Sequence, residues 1–246
     1  MAVKIKAKKA QKEKKARTTE KSMILTENSP WSIQEAYKQL RTNVLFSLTG
    51  TGCKVIGVTS AFTGDGKSIN AINHAISFAQ LGKRVLLIDG DMRRPIIAAK
   101  LHIKGKPGLS DVLVGQAKAE TGFRRLTQFG IDVIPSGSIP PDSTWLLQSK
   151  RMEILMQELK KVFDYIIIDL PPVTLVADAS IVAPYCDGFL FVVRHNSTDR
   201  RLIASALQQL DRAGARVLGF VYNDAAPGEG HYGSYSYKYK YQSNKE

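Results

Sequence analysis

An α/β fold, with a doubly wound, mostly parallel sheet and helices on both faces, is predicted for this chain by three observations. Continuous apolar runs of five or six residues recur along it, as expected of strands buried on both faces. They alternate with stretches of helical periodicity. A glycine-rich turn, Ser60-Ala61-Phe62-Thr63-Gly64-Asp65-Gly66-Lys67-Ser68, separates the first such run from the helix that follows it. Doubly wound folds place their binding crevice at such strand-to-helix turns.

The elements follow in order. Trp31 to Leu48 reads as an amphipathic helix, with Ile33, Tyr37, Leu40, Val44 and Leu48 spaced for one apolar face. Thr49-Gly50-Thr51-Gly52 turns the chain into a strand at Val55–Thr59. The helix beginning at Lys67 runs to about Leu81 and stops at Gly82. Arg84–Asp89, Ile131–Pro135, Tyr165–Asp169, Gly188–Val193 and Val217–Tyr222 are further strands. Helices fill the intervals, most clearly Met152–Val162 and Asp199–Ala213.

Length and composition set the class. With 246 residues, 43% of them hydrophobic, the chain can bury one sizeable core. Cys53 and Cys186 lie within or beside apolar runs without C-x-x-C spacing, so they read as thiols of a reducing compartment rather than a disulfide or metal framework. No apolar stretch approaches 18 residues and no signal-type core opens the chain, which predicts a cytoplasmic protein. The formal net charge of +13 is uneven: residues 1–22 carry nine basic side chains against Glu13 and Glu20, a net of +7. That segment reads as a solvated leader, an anionic-lipid anchor or a nucleic-acid arm. It has no aromatic residue to stack on bases, and no nucleic-acid partner is expected. Three regions result: a basic leader at 1–25, a globular domain at 26–226 and a distinct C-terminal segment at 227–246.

The glycine turn is a phosphate-binding loop in the expected context. A strand delivers it, Gly64 and Gly66 let backbone N–H groups curl inward, and the next helix presents its positive end. Thr63, Gly64, Asp65, Gly66, Lys67, Ser68 and Ile69 are the candidate nucleotide contacts; Lys67 reaches the β/γ-phosphates and the Ser68 hydroxyl holds Mg²⁺. Ala61 stands where G-x-x-x-x-G-K-[ST] begins with glycine. A dinucleotide turn is excluded, since G-x-G-x-x-G would need glycine where Ile69 sits.

Three carboxylates follow at strand ends. Asp89 and Asp91 close the second strand in Asp89-Gly90-Asp91-Met92-Arg93-Arg94-Pro95, and Asp169 ends Ile166-Ile167-Ile168 before Leu170-Pro171-Pro172. An aspartate after an apolar strand positions a metal or its waters. Hydrolysis of a nucleotide needs fewer acids; a second acidic loop makes sense where a protein hydroxyl must be oriented and deprotonated. A tyrosine, with a pKa of about 10, needs a carboxylate to take its proton during attack. The plainer reading has Asp91 as a helix cap and Arg93 and Arg94 as surface charges. In the C-terminal segment, five of the nine tyrosines fall within ten residues: Tyr232, Tyr235, Tyr237, Tyr239 and Tyr241. Their Gly, Ser and Lys neighbours are too polar for a core.

The order of these motifs resembles the Walker-motif bacterial tyrosine kinases of capsular and exopolysaccharide export, from about Glu35 to the C-terminus. That resemblance implies a P-loop NTPase fold and an ATP- and Mg²⁺-dependent tyrosine autokinase. It implies that Lys67 and Ser68 contact phosphates and Mg²⁺, that Asp89 is catalytic base with a share in the metal, that Asp91 assists placement and that Asp169 holds Mg²⁺ or its waters. Asn223 looks like the asparagine that reads adenine in related ATPases. The tail tyrosines become substrates, phosphorylated in trans by a neighbouring subunit across a tail that can span roughly 70 Å. Each phosphate adds about −1.5 to −2 charges, predicting a cycle of assembly, transfer and dissociation. The family's assembly motif E-x-x-R-x-x-R reads here Glu35-Ala36-Tyr37-Lys38-Gln39-Leu40-Arg41; Lys38 keeps the charge but not the bidentate fork. Ile69 stands where the family often has threonine. The resemblance further implies other protein tyrosine substrates, a transmembrane adaptor of the polysaccharide co-polymerase type that activates in trans, and recruitment to the inner face of the membrane, to which residues 1–22 would contribute. The competing reading is a partition or positioning ATPase that hydrolyses ATP without modifying protein. Such ATPases carry an extra early lysine where Phe62 stands, and the tyrosine tail has no role there.

Overall fold

The computed structural model describes residues 23–224; residues 1–22 of the basic leader and the tail tyrosines lie outside the described residues, while Ile24 and Leu25, counted with that leader, are buried. The sheet has seven strands: β1 (Lys54–Ser60), β2 (Val85–Asp89), β3 (Arg124–Leu126), β4 (Ile131–Ile134), β5 (Tyr165–Asp169), β6 (Gly188–Arg194) and β7 (Val217–Asn223). Their order is β3-β4-β2-β5-β1-β6-β7, and all pairs are parallel except β3 with β4. The predicted α/β doubly wound architecture is therefore present. β3 is the strand the sequence pattern does not predict. It holds three residues, of which only Leu126 is buried, so it never forms an apolar run.

The helices are α1 (Trp31–Ser47), α2 (Lys67–Ala79), α3 (Ile97–Leu101), α4 (Leu109–Val114), α5 (Ala119–Gly122), α6 (Ser143–Leu147), α7 (Lys150–Val162), α8 (Asp178–Val182) and α9 (Arg200–Arg212). Side-chain caps explain where two of the long ones start, α7 and α9. Ser149 accepts from the Met152 N–H ahead of α7, and Asp199 from the Arg201 N–H ahead of α9, each satisfying an otherwise orphaned donor.

Two core layers sandwich the sheet. On one face, Ile56 and Val58 of β1, Leu87 and Ile167 pack against Ile72, Ala75, Ile76 and Phe78 of α2, with Val44 of α1 behind them. On the other, Val55, Ile88, Ile166 and Ile168 meet Met152, Leu155, Met156 and Leu159 of α7 and Ala206 and Leu210 of α9. Side-chain alternation along each strand sends neighbours to opposite layers, so both faces must be covered. Full burial of each such side chain contributes about 1.5–3 kcal/mol. α1 matches its predicted face at Tyr37, Leu40, Val44 and Leu48, while Ile33 in its first turn is exposed. Cys53 and Cys186 are free thiols; burial lifts them to about 11 and about 12, respectively.

His74 lies within α2, fully buried, edge-on to Phe78, and neither ring nitrogen has a hydrogen-bond partner. Burial, helped by the Arg41 charge, pushes its pKa down to about 3. The folded state thus refuses a proton that the unfolded chain accepts near pH 6.5. Stability from this source is complete above pH 6.5 and is lost as pH falls from there toward about 3. His74→Leu is expected to narrow the gap in urea-unfolding free energy between pH 7.5 and 4.5 by about 2 kcal/mol. An unchanged gap would assign the acid lability elsewhere.

Candidate functional site

The site forms where β1 ends beside β2 and β5, at the carboxyl edge of the sheet. Register places Asp89 directly opposite Asp169, and Val58 opposite Asp169 on the other side. Two strand-end carboxylates therefore lie side by side on one flank of the loop that leaves β1. The chain then turns through Gly64 and Gly66, at φ +88° and +94°, where L side chains are disfavoured. Gly66 is also constrained by space, since a Cβ there would lie 2.1 Å from Asn223 Nδ2. Gly66→Ala is expected to weaken binding of a fluorescent ATP analogue by at least about tenfold, a loss of the size that left-handed strain of about 1–2 kcal/mol produces; titration of the analogue measures it.

The loop is held from both sides. On the acidic side, the Val173 N–H donates to the Ser60 carbonyl and the Thr174 hydroxyl to the Ala61 carbonyl. On the other side, Thr198 Oγ1 donates to Asp65 Oδ1 at 2.8 Å, while Asp65 Oδ2 takes the Phe62 N–H at 3.0 Å. Asn223 Nδ2 donates to the Asp65 carbonyl at 3.0 Å, and its Oδ1 accepts from Asn70 Nδ2, which also donates to the Gly66 carbonyl. Asp65 and Asn223, both candidate nucleotide contacts from the sequence, thus brace the loop. Thr63 is half-buried, and Ile69 packs into the α2 core layer. Asn70, Thr174 and Thr198 support the loop without being announced by the motif; Asn70 is legible only as an unexplained polar residue on a buried helix.

Lys67 and Ser68 open α2, both buried. Lys67 Nζ lies 2.9 Å from Asp91 Oδ2, 3.6 Å from Asp169 Oδ1 and 3.3 Å from Ser68 Oγ. Asp91 Oδ1 also accepts the Arg94 N–H at 3.0 Å. Asp91 caps no helix, the next one beginning at Ile97 without a side-chain cap; it closes its own turn and pairs with the loop lysine. Asp89 Oδ2 accepts the Ile97 N–H at 3.2 Å, but Asp89 Oδ1 and both Asp169 oxygens have no donor within ordinary hydrogen-bond distance, the Lys67 ammonium at 3.6 Å and the Ser68 hydroxyl being the groups that face Asp169.

One ammonium faces three buried carboxylates. Burial by itself would lower the Lys67 pKa, yet the Asp169 and Asp91 charges outweigh it and hold it above the ordinary value. Burial, reinforced by the Asp169 charge, lifts Asp89 well above the usual carboxylate range. Burial also lifts Asp169, against the opposing pull of Lys67. Orphaned, dehydrated carboxylate oxygens beside a hydroxyl suit a hard divalent cation. Among the described residues no three His, Cys, Asp or Glu side chains form an ion cage.

The assembly candidates lie on α1, away from this cluster. Lys38 pairs with Glu35 at 3.7 Å. Arg41 turns inward and donates to the Ser77 carbonyl and hydroxyl of α2.

A family model described as an AAA domain matches residues 53–190. The chain is 36% identical over 208 residues to the tyrosine-protein kinase CpsD of Streptococcus agalactiae, covering 82% of this chain and 88% of that one. It is 35% identical to the tyrosine-protein kinase YwqD of Bacillus subtilis, with coverage of 81% and 85%. The kinase domain of the Escherichia coli tyrosine kinase ETK superimposes with a TM-score of 0.75 at 28% identity, over 84% of this chain and 86% of that one.

Proposed function

Because this chain belongs to the bacterial tyrosine-protein kinases, we propose that it transfers the γ-phosphoryl group of Mg·ATP to tyrosines of its own C-terminal segment, one copy acting on another. The observation that carries the reading is the buried Lys67–Asp91–Asp169 cluster with Asp89 beside it. In the transfer, the phenolic oxygen bonds to the γ-phosphorus as the bond from that phosphorus to the β-phosphate bridging oxygen breaks. ADP departs and the phenolic proton passes to Asp89. Lys67 neutralises charge on the phosphates, which dominates catalysis of this reaction class. Ser68 and Asp169 would hold Mg²⁺, which when bound supplies further charge neutralisation. Asp91 keeps Lys67 aimed, and the raised pKa of Asp89 makes it a more effective proton acceptor.

The acceptors are Tyr232, Tyr235, Tyr237, Tyr239 and Tyr241. Accumulated phosphate repels between tails and releases subunits that assemble through Glu35, Lys38 and Arg41, so that the enzyme regulates capsular or exopolysaccharide synthesis and export. Among the described residues no helix is long and apolar enough to cross a membrane. The reading supplies the membrane connection through a transmembrane adaptor that activates in trans, with residues 1–22 adding attraction to anionic lipid. Incubation of the full chain with Mg·ATP and an adaptor segment, followed by mass spectrometry, is expected to show phosphate on the tail tyrosines. Unmodified tyrosines alongside ATP turnover would instead support the positioning-ATPase reading.

A further inference from the structure

Two residues beyond Asp91, Arg93 carries a charge in the acidic loop that the transfer mechanism leaves unused. Its plainer reading is a surface charge, and its side chain is indeed 44% exposed. Its partner is not on the surface. Arg93 Nε lies 3.5 Å from Asp178 Oδ2, and the Asp178 side chain is completely buried. Ser143 Oγ donates to Asp178 Oδ2 at 3.2 Å, and Thr144 Oγ1 approaches Oδ1 at 3.4 Å. Arg93 Nη2 also donates to Thr144 Oγ1 at 3.2 Å. A carboxylate out of water needs a cation and hydrogen-bond donors, and this one has Arg93 together with two hydroxyls.

The placement is as informative as the pairing. Arg93 leaves the site from β2, its turn fixed by the Arg94 N–H to Asp91 bond. Asp178 follows the segment that leaves from β5 after Asp169, itself tied to the phosphate loop through Val173 and Thr174. The two acidic exits of the site are thus joined at its rim by one ion pair. A guanidinium has five N–H donors. Nε and one Nη2 hydrogen face Asp178 and Thr144, which leaves three N–H groups unengaged by these two partners on a side chain that is 44% exposed.

We propose that Asp178 is a positioning residue that holds Arg93 at the mouth of the site as a receptor for an anion on the acceptor peptide, one or two residues from the reacting tyrosine. The proposal rests on the kinase reading for what enters the mouth. The anion is a planar or tetrahedral oxyanion, which a fixed fork binds well: a carboxylate side chain or a phosphate already placed on a neighbouring tyrosine. With tyrosines at 235, 237, 239 and 241, an occupied position would then promote binding of the next.

The test measures binding, so it does not depend on turnover. Fluorescent peptides of residues 231–241 are titrated into the full chain with Mg·ADP and followed by anisotropy. One peptide is unmodified, one is phosphorylated on Tyr237, and one carries Tyr237→Glu. The wild type is expected to bind the phosphorylated peptide about tenfold more tightly than the unmodified one, the size of one charge-assisted contact. The glutamate peptide falls between them if a carboxylate suffices and matches the unmodified one if phosphate is required. Arg93→Gln and Asp178→Asn are expected to bring the preference to about twofold or less, with nucleotide affinity retained. Arg93→Lys, which keeps charge and loses the fork, should recover part of it. If thermal melting shows either of the first two variants to be unfolded, the wild type and Arg93→Lys decide the matter. Equal binding of the three peptides by the wild type, or full preference retained by the variants, overturns the proposal. Loss of phosphotransfer alone, with the binding preference intact, would count against the kinase reading and leave this one standing.

Discussion

Lys67→Met is expected to reduce tyrosine phosphorylation by about 10²–10³-fold or more, the effect of deleting a preorganised charge from a dehydrated transition state. The geometry makes this more than loss of a phosphate contact. Lys67 lies 2.9 Å from Asp91 and 3.6 Å from Asp169, so the substitution leaves three buried carboxylates without the ammonium that faces them. The native state relieves that repulsion by protonating an acid, and the site loses the charge distribution that the transfer needs. Phosphotyrosine immunoblotting and mass spectrometry of wild type and variant, each with Mg·ATP and the same adaptor segment, measure the effect. Preserved phosphotyrosine in the variant would remove Lys67 from the mechanism.

Asp89→Asn should move activity and stability in opposite directions. Loss of the proton acceptor is expected to slow transfer by about 10²–10⁴-fold. The amide oxygen can still take the Ile97 N–H that Asp89 Oδ2 accepts, so the local fold survives. Asp89 is held well above the usual carboxylate range, first by burial and then by the Asp169 charge. A carboxyl whose folded pKa is raised weakens the fold wherever the unfolded chain is ionised, above about pH 4, and ceases to do so as pH falls below that. The variant should therefore melt higher than wild type at pH 7, by about 2–4 °C for each kcal/mol released, with the advantage vanishing near pH 3. Such an exchange of stability for function is common at active sites. A variant that loses both activity and melting temperature at pH 7 would show that Asp89 is structural.

The parts of this molecule that were legible in the sequence are those where one physical demand dominates. Tyr165–Asp169 coincides with its predicted bounds, because a strand buried on both faces has to be apolar throughout. Gly64 and Gly66 declare a turn at positive φ, and an apolar strand ending in aspartate announces Asp89 and Asp169. What escaped was set by tertiary contact. β3 carries two arginines and one inward leucine, so its pairing with β4 decides its conformation. Asn70, Thr174 and Thr198 act through hydrogen bonds to residues far along the chain, and no spacing rule encodes them. Asp178 left a trace, since it is a lone acid within the apolar stretch Val173–Ala183. That trace signals a buried charge but does not name Arg93 as its partner.

The double suspension of the phosphate loop has a thermodynamic corollary. Backbone carbonyls at Ser60, Ala61, Asp65 and Gly66 are engaged from both flanks of β1, so the cradle keeps its shape before any guest arrives. Nucleotide then binds with little loss of loop entropy, and its affinity reflects the contacts made rather than the cost of ordering the receiver. The Phe62 amide, bonded to Asp65 Oδ2, should accordingly exchange slowly even in the ligand-free protein.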